Sequence, residues 1–241
     1  MATDLLFRDD AYLREAVARV TGVGEQGVVL DRTIFYPQGG GQVGDTGALV
    51  RENGDVVPVT DTRKGDVPDT VVHVVAPGGP LAVGDVVTQR IDWDRRFALM
   101  RLHTALHVMS CVVVAPVTGG NIAPEKARLD FDIDMSLLDA AKIEGETNAI
   151  IARAIATETV WISDDELDAR PELVKTMSVQ PPRGSGRVRL LRIPGIDLQP
   201  CGGTHVRNIG EIGAIRVVKI KNEGKRNKRV EIVLNDPHAR G

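Results

Sequence analysis

The chain has 241 residues, and its 30 lysine and arginine residues against 33 aspartate and glutamate residues give a formal net charge of −3. A hydrophobic content of 42% and a charged content of 26% are close to the globular average, which excludes a disordered or fibrous chain. The overall charge also excludes a generally basic protein that coats nucleic acid, and the length allows one large domain or two small ones.

The first part of the chain, residues 1–90, is typical of β structure. Short valine-rich runs alternate with clusters of glycine, proline and aspartate at the spacing found in small barrels. The strands predicted there are Val28–Leu30, Val56–Val59, Val71–Val75 and Val86–Ile91. We therefore predict that residues 1–90 form a small β-barrel domain rich in glycine.

The second part, residues 91–241, mixes helical and strand patterns. Apolar residues without helix breakers predict a helix over Phe97–Val114, and a second helix is predicted over Ser136–Ala156, with Ser136 as N-cap and Gly145 as its weak point. The strands predicted there are Thr159–Ile162, Val188–Ile193, Ala214–Ile220 and Val230–Leu234. The last two strands flank Lys221–Arg229 and predict a hairpin with a long basic loop. The expected fold class is α+β, and the expected second domain, 91–241, has an antiparallel sheet with helices.

Several features predict a soluble, cytoplasmic protein. The two cysteines, Cys111 and Cys201, are too few for a disulfide framework. The N-terminal stretch carries acidic residues where a signal peptide has a basic start and an apolar run. No apolar run approaches the roughly 18 residues of a membrane span, so no membrane association is expected.

Two short clusters contain metal-ligating residue types at metal-ligand spacing. His103 and His107 lie four residues apart on the first predicted helix and so face the same side. Cys201 and His205 are also four apart, in a glycine-rich segment that can bend until both reach one ion. Zinc takes such thiolate and imidazole ligands at about 2.0–2.3 Å. The two clusters together therefore favour a metal site.

Each cluster alone has a simpler explanation. A pair of histidines at this spacing commonly serves packing, and the segment from Cys201 to His205 could be a tight turn with a buried thiol. Cys111 lies about 12 Å along the helix axis from His103, too far to share an ion with it, and is expected to be a core thiol. Position 104 is threonine where a zinc peptidase has glutamate, which disfavours a peptidase. Spacing alone leaves open whether the site is structural or catalytic.

Four ordered motifs resemble one known family. They are Arg32–Gln42, Asp92–Arg96 followed by Met100–His107, Asp197–Gly213, and Lys219–Ile232. In this order they resemble the glycine-rich motif and the editing domain of alanyl-tRNA synthetases, and nothing in the chain resembles an aminoacylation domain. The chain thus resembles the free-standing alanyl-tRNA editing proteins of the AlaX group, in their medium-length form. It departs from many relatives at Gln38, where they have glutamate, and at Val43, where they have proline.

The resemblance implies a hydrolase that cleaves the ester of tRNA(Ala) mischarged with serine, chiefly, and with glycine as a second substrate. It implies zinc as the ion and His103, His107, Cys201 and His205 as its ligands. A serine exceeds alanine by one hydroxyl, which a synthetic pocket rejects poorly, so a second hydrolytic site is a physical solution. Thr33 is the predicted contact of the serine hydroxyl, with an ordinary strand residue as the alternative. Gln42 is predicted to bind substrate or to hold the glycine-rich loop.

The charge is unevenly distributed. Residues 183–241 contain 13 basic and 5 acidic residues, so this segment carries +8 although the chain as a whole carries −3. Within this segment, Lys219–Arg229 contains six positive charges in eleven residues. A solvated hairpin tip is the simplest explanation of that run, but such a surface also attracts the tRNA backbone. The candidate nucleic-acid contacts are Lys219, Lys221, Lys225, Arg226, Lys228 and Arg229.

Two other functions remain open from the sequence. One is a non-catalytic, zinc-stabilised RNA-binding module in which the metal is purely structural. The other is a zinc hydrolase that acts on another ester or on free D-aminoacyl-tRNA. No obligate protein partner is implied, and both a monomer and a homodimer are compatible with the sequence.

Overall fold

The computed structural model describes residues 2–67, 69–77, 79, 81–174 and 186–235, and it divides the chain into two compact units, Met1–Phe97 and Ala98–Gly241. Both units are of mixed or β type with mainly antiparallel sheets and few helices, which confirms the α+β class. No helix in the described ranges is both long and apolar enough to cross a membrane.

The first unit is built from nine strands. In chain order they are β1 (Asp4–Leu5), β2 (Glu15–Gly24), β3 (Gly27–Leu30), β4 (Arg32–Thr33), β5 (Gly47–Arg51), β6 (Val56–Val59), β7 (Asp61–Lys64), β8 (Val71–Val74) and β9 (Val86–Ile91). Strands β1 and β4 form a short parallel pair, and the other seven form an antiparallel sheet in the order β6-β5-β9-β2-β3-β8-β7. The described residues show no pairing that joins β6 to β7, so the expected closed barrel is not found.

Alternation along these strands builds the core of the first unit. On β2, Ala18 and Val20 are buried whereas Val17 is exposed, as expected where one face of a sheet is packed and the other faces solvent. Leu30, Leu49 and other apolar side chains from neighbouring strands complete this core.

A buried ion pair anchors the glycine-rich loop that follows β4. The Arg96 guanidinium and the Asp45 carboxylate are almost completely inaccessible to solvent, with Nε of Arg96 lying 3.1 and 3.0 Å from the two carboxylate oxygens. The main-chain N–H of Tyr36, at the other end of the loop, also donates to Asp45. Both ends of the loop are therefore tied to one buried carboxylate.

The second unit contains most of helix α1 (Trp93–Val112), with helices α2 (Ala140–Ile151) and α3 (Asp164–Asp168). Its strands are β10 (Val117–Ile122), β11 (Ala127–Phe131), β12 (Glu158–Ile162), β13 (Val188–Ile193), β14 (Asp197–Pro200), β15 (Ile215–Asn222) and β16 (Lys228–Leu234). They form two antiparallel sheets, β10-β11-β16-β15 and β12-β13-β14. From Leu102 to Ser110, every residue of α1 is buried, as expected for a helix inside a core.

Two predictions for this unit were wrong in detail. The second helix begins at Ala140 because Asp139, and not Ser136, caps it: the Asp139 carboxylate accepts from the N–H of Lys142. This helix also ends at Ile151, before the predicted Ala156. The main-chain N–H of Ser136 instead donates to Asp134 in a separate single turn. The basic loop of the last hairpin is also shorter than predicted, since strand pairing continues to Asn222 on one side and from Lys228 on the other.

Candidate metal centre

Two segments bring four potential ligands together in the second unit. Helix α1 carries His103 and His107 one turn apart, and the loop that follows β14 carries Cys201 and His205. One ligand atom from each of these residues lies within 4.8 Å of those of the other three. The structure therefore brings together all four residues that the sequence predicted as a cluster.

The spacing and the chemistry of this cluster fit a tetrahedral metal ion. Sγ of Cys201 lies 3.5 Å from Nε2 of His103 and 3.1 Å from Nε2 of His205. Ligands about 2.0–2.3 Å from a central ion in tetrahedral geometry lie roughly 3.3–3.8 Å from one another, so the first distance falls in this range and the second is slightly shorter. One thiolate and three imidazoles are also a donor set that zinc accepts.

Two of the three imidazoles, those of His107 and His205, are oriented by hydrogen bonds at Nδ1. Nδ1 of His107 lies 3.0 Å from Oδ2 of Asp197, a buried carboxylate at the start of β14. Nδ1 of His205 lies 3.2 Å from Oγ1 of Thr104, whose own proton is directed at the carbonyl oxygen of Met100, 2.8 Å away. Both rings thereby keep Nε2 as the nitrogen that can bind an ion.

The glycine-rich turn between Cys201 and His205 is held by Arg189 of strand β13. One guanidinium nitrogen of Arg189 donates to the carbonyl oxygens of Cys201 at 2.9 Å and of Gly203 at 3.0 Å. The main-chain N–H of Cys201 in turn donates to the carbonyl oxygen of Arg189. The strand thus shapes the turn that presents the thiol.

Electrostatics favour the metal-binding form of Cys201 and of His205, whereas His107 has to release a proton before it can bind a cation. Burial raises the pKa of the Cys201 thiol, but the attraction of His103 and His205 outweighs it and holds this pKa well below its ordinary value. Burial alone lowers the pKa of His107, yet hydrogen bonds to Asp197 and Cys201 raise it to about 9. Burial lowers the pKa of His205 to about 3. A thiolate and a neutral imidazole are the forms that bind metals.

The predicted substrate contacts lie in the first unit and are fully buried. Oγ1 of Thr33 lies 2.8 Å from Nε2 of His73 and 3.1 Å from Oε1 of Gln89, and it accepts from the N–H of Phe35. The main chain of Gln42 exchanges two hydrogen bonds with Gly39 in a tight turn of the glycine-rich loop. Their roles toward substrate stay predictions.

The basic side chains of the hairpin formed by β15 and β16 are of two kinds: four are ion-paired or hydrogen-bonded within the protein, and two are exposed without a salt bridge in the described ranges. Arg226 pairs with Asp132 at 2.7 Å, Arg229 pairs with Asp130 at 2.8 Å, Lys221 pairs with Glu223 at 3.1 Å, and the buried Lys228 amine donates to two carbonyl oxygens of the turn. Lys219 and Lys225 are exposed and form no salt bridge within the part of the chain that the structure describes, although Lys219 lies opposite Glu231 on β16 and attracts its carboxylate. Four of the six cations therefore already serve the hairpin itself.

Sequence reasoning missed several residues of the second unit that the structure singles out. Asp197 and Thr104 gave no signal because the imidazoles that they contact lie 90 and 101 residues away in sequence. Arg189 gave none because it contacts main-chain carbonyl oxygens, which have no sequence signature. Thr118 was missed as well: its buried Oγ1 has no hydrogen-bond partner among the described residues, and it sits at the β-bulge between Val117 and Gly119 on β10. Cys111 is half-buried, and its Sγ lies 3.4 Å from the carbonyl oxygen of His107, outside the cluster.

Comparisons with known proteins match most of the chain. The family model described as tRNA synthetases class II (A) matches residues 7–95, and the one described as Threonyl and Alanyl tRNA synthetase second additional domain matches residues 188–231. The alanyl-tRNA editing protein AlaX-M of Saccharolobus solfataricus is 38% identical over 95% of this chain and 97% of its own. That of Methanosarcina acetivorans is 38% identical over 97% of this chain and 100% of its own. The alanine–tRNA ligase of Sulfurisphaera tokodaii is 34% identical over 97% of this chain but 26% of its own.

Proposed function

Because this chain belongs to the AlaX-M family of alanyl-tRNA editing proteins, we propose that it hydrolyses mischarged tRNA(Ala), chiefly the seryl and also the glycyl form, at a zinc site. The observation that carries the proposal is the convergence of three buried imidazoles with one half-buried thiol, those of His103, His107, His205 and Cys201. Hydrolysis adds water across the ester, frees the amino acid and returns the terminal ribose hydroxyl of the tRNA.

The ester bond of an aminoacyl-tRNA is already activated, so the protein has to bind, orient and shield it. Bound zinc would supply a Lewis acid that polarises the ester carbonyl or holds the substrate's amino group. The side chains of the cluster would hold that ion: a thiolate at Cys201 and three imidazoles, of which those of His107 and His205 are oriented by hydrogen bonds. Four protein ligands favour orientation of the substrate over activation of water.

Selectivity for serine requires a partner for its hydroxyl. We propose two candidate residues, Thr33 and Thr118. The hydroxyl of Thr33 already has three neighbours, whereas Oγ1 of Thr118 is buried without a partner at a bulge beside Gly119. A buried hydroxyl without a partner costs about 1–3 kcal/mol, which a substrate hydroxyl would recover. Bulges often redirect a side chain next to an active site, and this favours Thr118. Gln42 is proposed to hold the glycine-rich loop or to contact substrate.

Glycyl-tRNA gives an internal control for that choice, because glycine lacks the hydroxyl. Thr118→Val and Thr33→Val should be compared by kcat/KM on Ser-tRNA(Ala) and Gly-tRNA(Ala). The variant that removes the serine contact should lose about 5- to 150-fold on the seryl substrate alone. Equal losses on both substrates would reject a hydroxyl contact for that residue.

The hairpin of β15 and β16 is the proposed tRNA surface, with Lys219, Lys221, Lys225, Arg226, Lys228 and Arg229 as its cations. Lys219 and Lys225 are exposed and form no salt bridge in the described ranges, although Lys219 lies opposite Glu231 on β16, so these two are the most available to phosphate groups. The four others would act mainly by keeping the hairpin in shape.

The deciding experiment compares deacylation of tRNA charged with serine, glycine, alanine and threonine. We expect hydrolysis of the seryl and glycyl forms on tRNA(Ala), with alanyl-tRNA spared, and loss of activity in zinc-stripped protein and in Cys201→Ala. Full activity of zinc-stripped Cys201→Ala protein would refute the metal-dependent reaction. A protein that binds the tRNA without ever releasing an amino acid would instead be the structural RNA-binding module.

A further inference from the structure

We infer that Asp197 is a positioning residue for the metal ligand His107: it fixes the tautomer and orientation of that ring and balances the charge of the ion. This inference rests on the proposed metal site. Asp197 lies four residues before Cys201, at the start of β14, and its carboxylate is buried against α1. It is outside the cluster of four ligands.

The first argument is the inventory of protons. An ionised carboxylate can only accept hydrogen bonds, so the contact of 3.0 Å between Oδ2 of Asp197 and Nδ1 of His107 requires a proton on Nδ1. When the imidazolium of His107 loses its other proton, the one on Nε2, a lone pair is left on Nε2. Asp197 therefore selects the nitrogen of His107 that is offered to the ion.

The second argument is that Asp197 is itself held in place. Nε2 of Gln199 donates to the same Oδ2 atom at 2.6 Å and lies 3.4 Å from Oγ of Ser110. Ser110 in turn donates to the carbonyl oxygen of His107 at 2.8 Å. The buried chain of hydrogen bonds returns to the residue whose ring it orients, so the carboxylate has little freedom to turn away.

The third argument is charge. A divalent ion bound by one thiolate and three neutral imidazoles leaves a net charge of +1 in a buried site, and an adjacent carboxylate would neutralise it. The other supported imidazole differs, since His205 donates to the neutral hydroxyl of Thr104. Asp197 thus has two separable effects, orientation and charge, whereas Thr104 has orientation alone.

These effects can be separated with three variants of the full-length protein. Asp197→Asn keeps an oxygen acceptor of the same shape but removes the charge, and Asp197→Ala removes both. Asp130→Asn is the matched control, because Asp130 is another buried carboxylate of the same unit that pairs with Arg229 and is not one of the four ligands. The zinc dissociation constant is measured at pH 7.5 by competition with a chelator.

We expect Asp197→Ala to weaken zinc binding by about 10- to 100-fold, Asp197→Asn to fall between it and the parent protein, and Asp130→Asn to bind like the parent. Nitrogen-15 NMR of the zinc-loaded protein should show a proton on Nδ1 of His107 that exchanges slowly in the parent and quickly in Asp197→Ala. A merely structural role would leave both readouts unchanged in folded variants.

A zinc dissociation constant within about twofold of the parent in Asp197→Asn and Asp197→Ala would overturn the inference. If Asp197→Ala does not fold, the isosteric Asp197→Asn still decides, because loss of the charge alone must weaken binding. Failure of the parent to bind zinc would overturn the proposed metal site and this inference together. Zinc binding without deacylation would reject the proposed hydrolysis and leave the role of Asp197 standing.

Discussion

The ion pair between Arg96 and Asp45 gives the largest stability effect that we predict. In Arg96→Met, the Asp45 carboxylate stays buried without its cation, and the carbonyl oxygens of Ile34 and Ala11 lose the donors that reach them at 2.6 and 2.9 Å. Removing one partner of a buried pair costs about 3–5 kcal/mol, because the remaining charge is uncompensated. The lost carbonyl contacts place the expected cost at the upper end of this range.

Urea unfolding measures this cost, and tryptophan fluorescence can report on the affected unit alone. Trp93 lies in the first unit and Trp161 in the second, so a Trp161→Phe background leaves one reporter where it is needed. The control is Arg90→Met, which breaks an exposed pair with Glu15 and should cost about 0–1 kcal/mol. A cost below about 1 kcal/mol for Arg96→Met would refute the argument from burial. Combining Arg96→Met with Asp45→Asn should cost less than the sum of the two single changes.

Three further predictions test other features. Gly145→Ala, at an exposed site in α2 where an added Cβ meets nothing within 4 Å, should raise the free energy of unfolding by about 0.5–1 kcal/mol in urea melts. Burial lowers the pKa of His73 from 6.5 to about 4, so the unfolded chain takes up a proton at this residue at a higher pH than the folded protein does. The free energy of unfolding therefore falls as the pH drops from 6.5 toward 4. Between pH 7.5 and 5 the parent should lose about 2 kcal/mol more of this free energy than His73→Gln, measured in urea melts. Replacing Lys219 and Lys225 by glutamine should raise the KM for aminoacyl-tRNA and reduce its logarithmic salt dependence by about 1.5, whereas Lys142→Gln on α2 should change neither.

Local sequence patterns predicted those elements whose signals are local. Strands Val56–Val59, Val86–Ile91 and Val188–Ile193 were found with the predicted bounds, because each combines β-branched residues with breakers on both sides. Strand β2 was missed, since its alanines and glycines weaken the alternation, and β10 was missed because Gly119 and Gly120 lie in its centre. Such strands are specified by their neighbours in the sheet.

The residues of the candidate site also fall into two groups, those that local sequence patterns predicted and those that they did not. The four potential ligands could be predicted because two pairs with a spacing of four residues occur within short segments, and their convergence agrees with that prediction. Asp197 and Thr104 could not be predicted, because each acts on an imidazole 90 or more residues away in sequence. For the basic hairpin, the sequence predicted the positive charges but not their ion pairs. The carboxylates of Asp130 and Asp132, which pair with Arg229 and Arg226, belong to strand β11 and to the residue that follows it.

The distance along the chain between the two halves of the cluster has a consequence for the lifetime of the protein. His103 and Cys201 are separated by 98 residues, so an ion bound to both would be a cross-link that closes a ring containing most of the second unit. By the entropy of loop closure, a cross-link of this span stabilises a fold by roughly 4–5 kcal/mol, comparable to a disulfide over the same interval. With the proposed ion in place, withdrawal of the metal would therefore shorten the survival of the molecule against proteases, independently of any effect on catalysis.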